Sequence, residues 1–189
     1  MKVLGINGSP RIGGNTDILL DRVLEGAKSA GAETEKIILN RLKFVGCQEC
    51  REIPDERPCI VMDDMQSVYP RIKQADVIIL ASPIFFGSIS AQTKAMIDRF
   101  QCAWASKYIF KRDMFAEKKV GAFILVEGTH SENYLKNAQL IVKIFFNVIN
   151  VEYKYELFCP GTDKKGSVLN KPDCMEKAFQ LGEKISARQ

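Results

Sequence analysis

The amino-acid sequence predicts a three-layer α/β domain around a five-stranded parallel β-sheet, and two observations support this. Short apolar runs alternate along the whole chain with segments in which apolar residues recur at helical spacing. Turn-forming residues, mainly glycine, proline, asparagine and aspartate, separate many of these segments. A length of 189 residues fits one unit with a full core, so we expect a single domain over residues 1–189.

Five runs have the length and composition of strands. They are, in chain order, Lys2–Ile6, Thr34–Leu39, Val77–Ala81, Val120–Val126 and Val151–Phe158. Five segments are predicted as helices: one capped by Asn15 or Thr16 that ends at Gly31, a short one from about Asp64 to Lys73, then Ala91–Trp104, Glu132–Ile149 and Asp173–Ile185. In the first helix we expect Asp17 and Asp21 to lie on the outer face.

The apolar pattern of each strand predicts its place in the sheet. Central strands of a parallel sheet are apolar on both faces, as Val77–Ala81 is throughout. The fifth strand alternates apolar and polar residues, and charged residues flank Ile37 in the second, so both are expected at the edges. This gives the strand order 2-1-3-4-5, which is the flavodoxin-like order, with a mixed order as the alternative.

The composition excludes several classes of protein. Hydrophobic residues make up 46% and charged residues 26%, which is typical of a soluble globular protein. No apolar run approaches the ~20 residues of a membrane span, and the start is too short for a secretory signal. The net charge of +4 is scattered, so no nucleic acid partner is expected. We predict a cytoplasmic protein whose cysteines are free or metal-bound thiols.

The loop between the first predicted strand and helix, Gly8 to Thr16, has the features of a phosphate site. A helix start offers free N–H groups and a positive dipole end, Ser9 can add a hydroxyl donor and Arg11 a charge. The loop lacks the Gly-Lys-Ser/Thr of a triphosphate loop and the G-x-G-x-x-G of a dinucleotide turn. A site for one phosphate monoester remains, as in FMN; the alternative is an ordinary glycine-rich turn.

The loop after the third strand, Ser82 to Ser88, follows the neighbouring strand at the same predicted edge. Phe85 and Phe86 are unusual in a solvated loop, and an aromatic face can pack on a planar ring. The alternative is that Phe85 and Phe86 pack into the apolar core, and we expect one of the two to do so.

Three segments together carry a family resemblance: Gly8-Ser-Pro-Arg-x-x-Gly-Asn-Thr16, Ser82-Pro-Ile-Phe-Phe-Gly-Ser88 and Lys94-x-x-x-Asp98-Arg99. With them, the chain resembles the NADPH-dependent FMN reductase family, particularly its branch that includes the iron–sulfur flavoproteins. The resemblance implies FMN bound through its phosphate by the first loop: Ser9, Pro10, Arg11, Gly14, Asn15 and Thr16. It implies a ring site formed by the second: Pro83, Ile84, Phe85, Phe86 and Gly87. The family often has tyrosine at Phe85, so a hydroxyl is missing here.

The loop after the fourth strand also borders the predicted crevice. Gly128 and Thr129 are expected at the edge of the flavin. His130 either bonds the ring or a substrate, or is a solvated or capping residue.

Three cysteines, Cys47, Cys50 and Cys59, lie on the long loop after the second strand. Similar iron–sulfur flavoproteins carry four there, and this chain has Ile53 at the third position. Three thiolates are one short of the four that a cluster needs, and Cys102, Cys159 or Cys174 would have to supply the fourth. An iron–sulfur cluster is therefore possible but not favoured, and a degenerate site with packing cysteines is the preferred interpretation.

These observations predict an FMN-dependent oxidoreductase in which the flavin carries the chemistry and no side chain is catalytic. NADH or NADPH would donate electrons, and a small acceptor such as a quinone or flavin would receive them. One alternative is an iron–sulfur-flavoprotein-like electron carrier with a protein donor; another is a flavin-binding regulatory module without turnover. The wide apolar arc of the segment Glu132–Ile149 predicts a homodimer or homotetramer contact; the alternative is a deeply buried helix.

Overall fold

The computed structural model describes residues 1–50 and 58–187. Its strands are β1 (Lys2–Asn7), β2 (Glu33–Ile38), β3 (Val77–Phe85), β4 (Ser88–Ile89), β5 (Lys119–Val126) and β6 (Val151–Cys159). Its α-helices are α1 (Asn15–Ser29), α2 (Met65–Gln74), α3 (Ala91–Asp98), α4 (Gln101–Tyr108), α5 (Glu132–Val148) and α6 (Pro172–Ser186). All five predicted strands are therefore present, with ends that differ by a few residues.

The strand order is β2-β1-β3-β5-β6, and these five strands are parallel. The two-residue strand β4 pairs antiparallel with the end of β3 and was not predicted. When β4 is left out and the five parallel strands are numbered in chain order, their order is 2-1-3-4-5. The predicted flavodoxin-like fold is therefore confirmed. The order reverses direction between β1 and β3, where such folds bind their ligands.

Helices cover both faces of the sheet, and each face has its own apolar core. On one face, α2, α3, α4 and α5 pack against inward side chains such as Ile6, Leu80 and Phe123. On the other, α1 and α6 pack against side chains such as Ile79 and Ile124. Because the central strands bury both faces, they are apolar throughout, which is why their sequence predicts them well.

Two glycines let α1 and α6 approach each other at backbone contact distance. A Cβ atom on Gly182 would lie 2.0 Å from the carbonyl oxygen of Val23, and one on Gly26 would lie 2.1 Å from that of Phe179. Either methyl group would overlap a main-chain atom that no side-chain rotation can move. The close crossing therefore fixes the position of α1.

The segment predicted as one helix, Ala91–Trp104, is two helices. The N–H of Arg99 donates to the carbonyls of Ala95 and Met96, a tight last turn after which the chain bends. The bend buries both Arg99 and Phe100, whereas Trp104 is 43% exposed.

The expectation of six free or metal-bound thiols is wrong for two of them. Cys159 at the end of β6 and Cys174 in the first turn of α6 form a disulfide. Their Cα atoms are 6.2 Å apart, within the usual range for such a bond. Cys47, Cys50, Cys59 and Cys102 are free. Separately, no helix in the described ranges is both long and apolar enough to span a bilayer.

Candidate functional site

The loops after β1 and β3 are joined at the carboxyl edge of the sheet through Gly8. The N–H of Gly8 donates to the carbonyl of Ala81 at 2.8 Å, and the Ser90 hydroxyl donates to the carbonyl of Gly8 at 2.6 Å. Ser90 in turn donates its N–H to the hydroxyl of Ser82, at 3.0 Å. A side chain on Gly8 would collide with Thr93, since a Cβ would lie 1.8 Å from its hydroxyl. The two predicted loops therefore face one crevice, at the point where the strand order reverses.

The first loop is shaped by the side chains of Asn7 and Asp17. The amide of Asn7 donates to the Asp17 carboxylate at 2.7 Å and its oxygen accepts from the Ser9 N–H at 2.8 Å. The same carboxylate accepts the N–H of Gly13, also at 2.7 Å. Asp17 is thus buried, and its expected place on the outer face is wrong, because its carboxylate organises the turn.

The first backbone hydrogen bond at the entrance of α1 runs from the N–H of Ile18 to the carbonyl of Gly14. The backbone N–H groups of Asn15, Thr16 and Asp17 come before it in the chain. Such leading N–H groups have no carbonyl within the helix to bond. The hydroxyl-bearing residues Ser9 and Thr16 are buried beside them. This arrangement is the usual one for an anion at a helix N-terminus.

The prediction that Asn15 or Thr16 caps the helix is wrong. The N-cap residue is Gly14, and no side chain makes a capping hydrogen bond there. Instead the Asn15 amide donates to the carbonyls of Thr162 and Lys164 at 2.8 and 2.9 Å. Its oxygen accepts the N–H of Val168 at 3.2 Å. The side chain thereby anchors the entrance of α1 to the segment after β6. Because it does not cap the helix, it leaves the backbone N–H groups at the helix start unbonded.

Arg11 lies on the rim of the same loop. Its side chain is exposed, and its guanidinium donates to the carbonyl of Asp163 at 3.4 Å. Pro10 accepts a hydrogen bond at its carbonyl from the Asn40 amide, at 3.2 Å. Both ends of the turn are therefore tied to neighbouring segments.

The second predicted loop is a β-hairpin. Phe86 and Gly87 both have positive φ angles, 49° and 73°, as the two central residues of a type I′ turn require. Helix α5 holds this turn, because the Asn137 amide donates to the carbonyl of Gly87 at 2.9 Å. Pro83 and Ile84, half-buried, lie in the strand that leads into it.

Neither phenylalanine of the hairpin closes the core. Phe85 is 41% exposed and the Phe86 side chain is fully exposed. The expectation that one of the two is a core residue is therefore wrong, since the hairpin carries both beyond the end of the sheet. Two aromatic side chains at the edge of the crevice are consistent with a ring site.

The third loop begins at Glu127, which is buried. Its carboxylate accepts the N–H of Ser131 at 2.8 Å and lies 3.5 Å from Nδ1 of His130. His130 also stacks obliquely on Phe158, with ring centroids 5.4 Å apart. Gly128 and Thr129 are exposed at the carboxyl end of β5.

Lys36 balances the carboxylate of Asp17 at the entrance of α1. Its ammonium lies 3.0 Å from Asp17 and 2.5 Å from Asp21. Burial alone would lower the pKa of Lys36, but its hydrogen bonds to Asp21 and Asp17 raise that pKa above its ordinary value. The ammonium therefore stays charged and offsets a negative charge that would repel an anion at the helix entrance.

We expect Lys36→Met to weaken FMN binding about tenfold at low salt, the order that one uncompensated charge at the site produces. The measurement is a fluorescence titration of the apoprotein with FMN. Lys28→Met, which removes the same charge from the far end of α1, is the matched control and should leave the affinity within twofold. Added salt should reduce the difference in FMN affinity between the two variants. Equal FMN affinities of the two variants at low salt would contradict the charge-balance explanation.

The four free cysteines line one cavity of about 970 Å³, between the loop after β2 and helices α3 and α4. Cys102 could not be placed there from the sequence, because it lies more than forty residues from the other three along the chain. Burial, followed by the nearby Cys59 sulfur, raises the pKa of Cys102 to about 11. Its thiol contacts the carbonyl of Arg99 at 3.1 Å.

Arg99 forms the inner wall of this cavity, and its side chain is 1% exposed. Its guanidinium pairs with Asp63 at 2.5 Å and donates to the carbonyl of Val45 at 3.0 Å. A second nitrogen of the guanidinium lies 3.5 Å from the sulfur of Cys59. Asp63 also accepts the N–H of Met65, as expected for a residue at the start of α2. The pairing with Arg99 was not predicted.

Known proteins resemble this chain over most of its length. The model of the NADPH-dependent FMN reductase family matches residues 1–153. An iron–sulfur flavoprotein of Methanosarcina thermophila is 36% identical over 142 residues, which are 75% of this chain and 71% of that protein. A putative NAD(P)H-dependent FMN-containing oxidoreductase of Bacillus subtilis is 27% identical over 186 residues and 96% of both chains.

Among solved structures, a flavone reductase superposes with a TM-score of 0.75 at 22% identity, covering 98% of this chain and 62% of that one. At this identity the likeness concerns the fold alone. The family match is broader evidence, because it covers the first loop, the hairpin and the third loop together. The chain therefore belongs to the NADPH-dependent FMN reductase family, which confirms the predicted class, an FMN-dependent NAD(P)H oxidoreductase.

Proposed function

We propose that the crevice between the first loop and the hairpin binds FMN and that the protein transfers electrons from NADH or NADPH to a small acceptor. The observation that carries this proposal is the joining of two loops through Gly8, which puts a helix entrance with leading N–H groups beside an aromatic hairpin. A monophosphate and a planar ring system are the two parts of one ligand that such a crevice fits.

In this proposal the phosphate accepts hydrogen bonds from the backbone at the start of α1 and from hydroxyl groups. The loop residues that hold it are Ser9, Pro10, Arg11, Gly14, Asn15 and Thr16. Asn15 contributes its N–H, since its amide already bonds the segment after β6. Ser9 keeps a hydroxyl that accepts the N–H of Arg11 at 3.1 Å, so its proton is available to the phosphate.

The ring lies against the hairpin and the third loop in the same proposal. The residues that line it are Pro83, Ile84, Phe85, Phe86, Gly87, Gly128 and Thr129. FMN, when bound, supplies hydride acceptance and electron release. The side chains orient the ring and limit access of water, and none of them needs to be a nucleophile or a general base.

Stopped-flow mixing of the FMN-loaded protein with each nicotinamide under anaerobic conditions tests this function. We expect bleaching of the oxidised flavin absorbance with NADH or NADPH, followed by reoxidation when a quinone or free flavin is added. A flavin that stays oxidised with both nicotinamides would contradict it. Such a result, with FMN bound, would favour a carrier that accepts electrons from a protein donor, or a regulatory module if no donor reduces it.

The oligomeric state and the location in the cytoplasm remain predictions. The outer side of α5 carries exposed apolar residues: Tyr134, Leu140 and Ile144, each 45–58% exposed. These support a homodimer or homotetramer, and a monomer in light scattering at low micromolar concentration would contradict it.

A further inference from the structure

The disulfide between Cys159 and Cys174 closes a part of the chain that lies against the first loop. The bond joins the end of β6 to the first turn of α6, and the two cysteines are 15 positions apart. Between them run residues 160–173, which we call the bridged segment. A cross-link of this kind restricts how far the segment can move away from the rest of the protein.

The bridged segment carries the hydrogen-bond partners of Asn15 at the entrance of α1. The Asn15 amide donates to the carbonyls of Thr162 and Lys164, and its oxygen accepts the N–H of Val168. The same amide lies 3.3 Å from the hydroxyl of Ser167. All four of these partners belong to the bridged segment, so the anchor of the α1 entrance is as fixed as that segment is.

The bridged segment also contacts other parts of the proposed FMN site. The guanidinium of Arg11 donates to the carbonyl of Asp163 at 3.4 Å. On the third loop, the carbonyl of Glu127 accepts the N–H of Thr162 at 3.0 Å. A Cβ atom on Gly128 would lie 3.2 Å from the Cβ of Asp163. The position of the bridged segment is therefore coupled to the first loop and to the third.

The bridged segment buries little apolar surface of its own. Within residues 160–173, all of which the structure describes, Val168 is the only buried apolar residue. A short 3-10 turn, Ser167–Asn170, is its regular structure before α6 begins. Segments with few buried apolar contacts open locally at a lower free energy than the core does. The disulfide opposes such opening, because it removes conformational freedom from the open states.

We propose that the Cys159–Cys174 disulfide is a redox switch for FMN binding, and that its reduction by a dithiol lowers the affinity of the protein for FMN. The inference rests on the proposed function, because the affinity that changes is that of the crevice. When only the closed form of the segment supports the α1 entrance, the apparent affinity falls in proportion to the closed fraction.

The reduction is a thiol–disulfide exchange. Cys174 is partly exposed and Cys159 is buried, so the thiolate of the reductant attacks the Cys174 sulfur. A bond forms between that thiolate and Cys174, the bond to Cys159 breaks, and Cys159 takes up a proton. The second thiol of the reductant then displaces Cys174 as a thiol. Two electrons and two protons pass to the protein, and the dithiol leaves as a disulfide.

A titration of two redox forms with FMN tests the switch. One form is the protein purified without reductant, and the other is treated with dithiothreitol that is then removed under nitrogen. Alkylation followed by peptide mass mapping should label Cys159 and Cys174 in the second form only. We expect the Kd for FMN to rise about tenfold on reduction. Cys174→Ser should bind FMN as weakly as the reduced protein and should not respond to dithiothreitol.

Cys47→Ser is the matched control, because it removes a free thiol that takes no part in the bridge. This variant should keep the full response to dithiothreitol. Amide hydrogen exchange of the FMN-free protein gives a second measurement. On reduction, the N–H groups of Thr162 and Val168 should exchange faster, whereas those of β3 should keep their rates.

The possible failures are distinguishable. Equal FMN affinities of the two redox forms would overturn the switch and leave the FMN site intact. Absence of FMN binding in both forms would overturn the proposed function and the switch with it. Labelling of Cys159 and Cys174 without reduction, or faster exchange throughout the sheet on reduction, would also overturn the switch, the second because it means general unfolding.

Discussion

Asp63→Ala is expected to lower the free energy of unfolding by about 3–5 kcal/mol, the usual cost of leaving a buried charge without its partner. Arg99 is 1% exposed, and Asp63 is the carboxylate that pairs with it, at 2.5 Å. The variant also removes the acceptor of the N–H groups of Val45 and Met65. Urea denaturation followed by circular dichroism measures the change.

Asp64→Ala is the matched control, because Asp64 is the adjacent residue and bonds the N–H of Lys43 at an exposed position. It should cost about 1 kcal/mol or less. Similar losses in the two variants would contradict a special role of the buried pair.

The same pair makes a prediction about pH. Burial alone would raise the pKa of Asp63, but the hydrogen bond from Arg99 and others from backbone N–H groups lower it below its ordinary value. Its contribution to stability is therefore present above the unfolded pKa of about 4 and is lost as pH falls through the lower native value. The stability difference between the wild type and Asp63→Ala should accordingly shrink below about pH 4.

Gly182→Ala is expected to destabilise the protein by about 3 kcal/mol, near the upper end of the usual cost of overpacking. The added methyl carbon would lie 2.0 Å from the Val23 carbonyl oxygen and 2.6 Å from the Ala27 nitrogen, so α1 and α6 must separate. The gain in helix propensity from glycine to alanine is about 1 kcal/mol and does not compensate. Thermal and urea unfolding give the magnitude.

Glu183→Ala changes the next residue, on the exposed side of α6, and should shift stability by no more than about 0.5 kcal/mol. Because α1 begins at the first loop, we expect the Gly182→Ala variant to bind FMN more weakly than the Glu183→Ala variant does. An alanine variant as stable as the wild type would mean that the helices are farther apart than described.

The sheet was predictable from the sequence because its central strands are apolar on both faces, a pattern that few other structures produce. The helix break at Arg99 was not predictable, because Ile97, Phe100 and Trp104 continue the helical spacing of apolar residues across it. At the bend the Arg99 guanidinium is buried against Asp63, a partner 36 residues away in the chain. Local periodicity contains no information about such a contact.

The candidate site was predictable in its loops and less so in their internal bonds. Glycine, proline and asparagine at fixed positions indicate where the backbone turns sharply, which located both loops. The roles of Asp17 and Asn15 depend on partners in β1 and in the segment after β6, and neither is adjacent in sequence. Cys102 likewise joins the other free thiols only through the packing of α4.

The anchoring of Asn15 has a consequence for the order in which the protein matures. The carbonyls and N–H that hold its amide belong to Thr162, Lys164 and Val168, which lie 147–153 residues further along the chain. During synthesis the glycine turn leaves the ribosome long before these partners do. A nascent chain that stops short of residue 160 therefore lacks the support of its first helix, and we expect FMN to bind stably only after residues 162–168 have been synthesised.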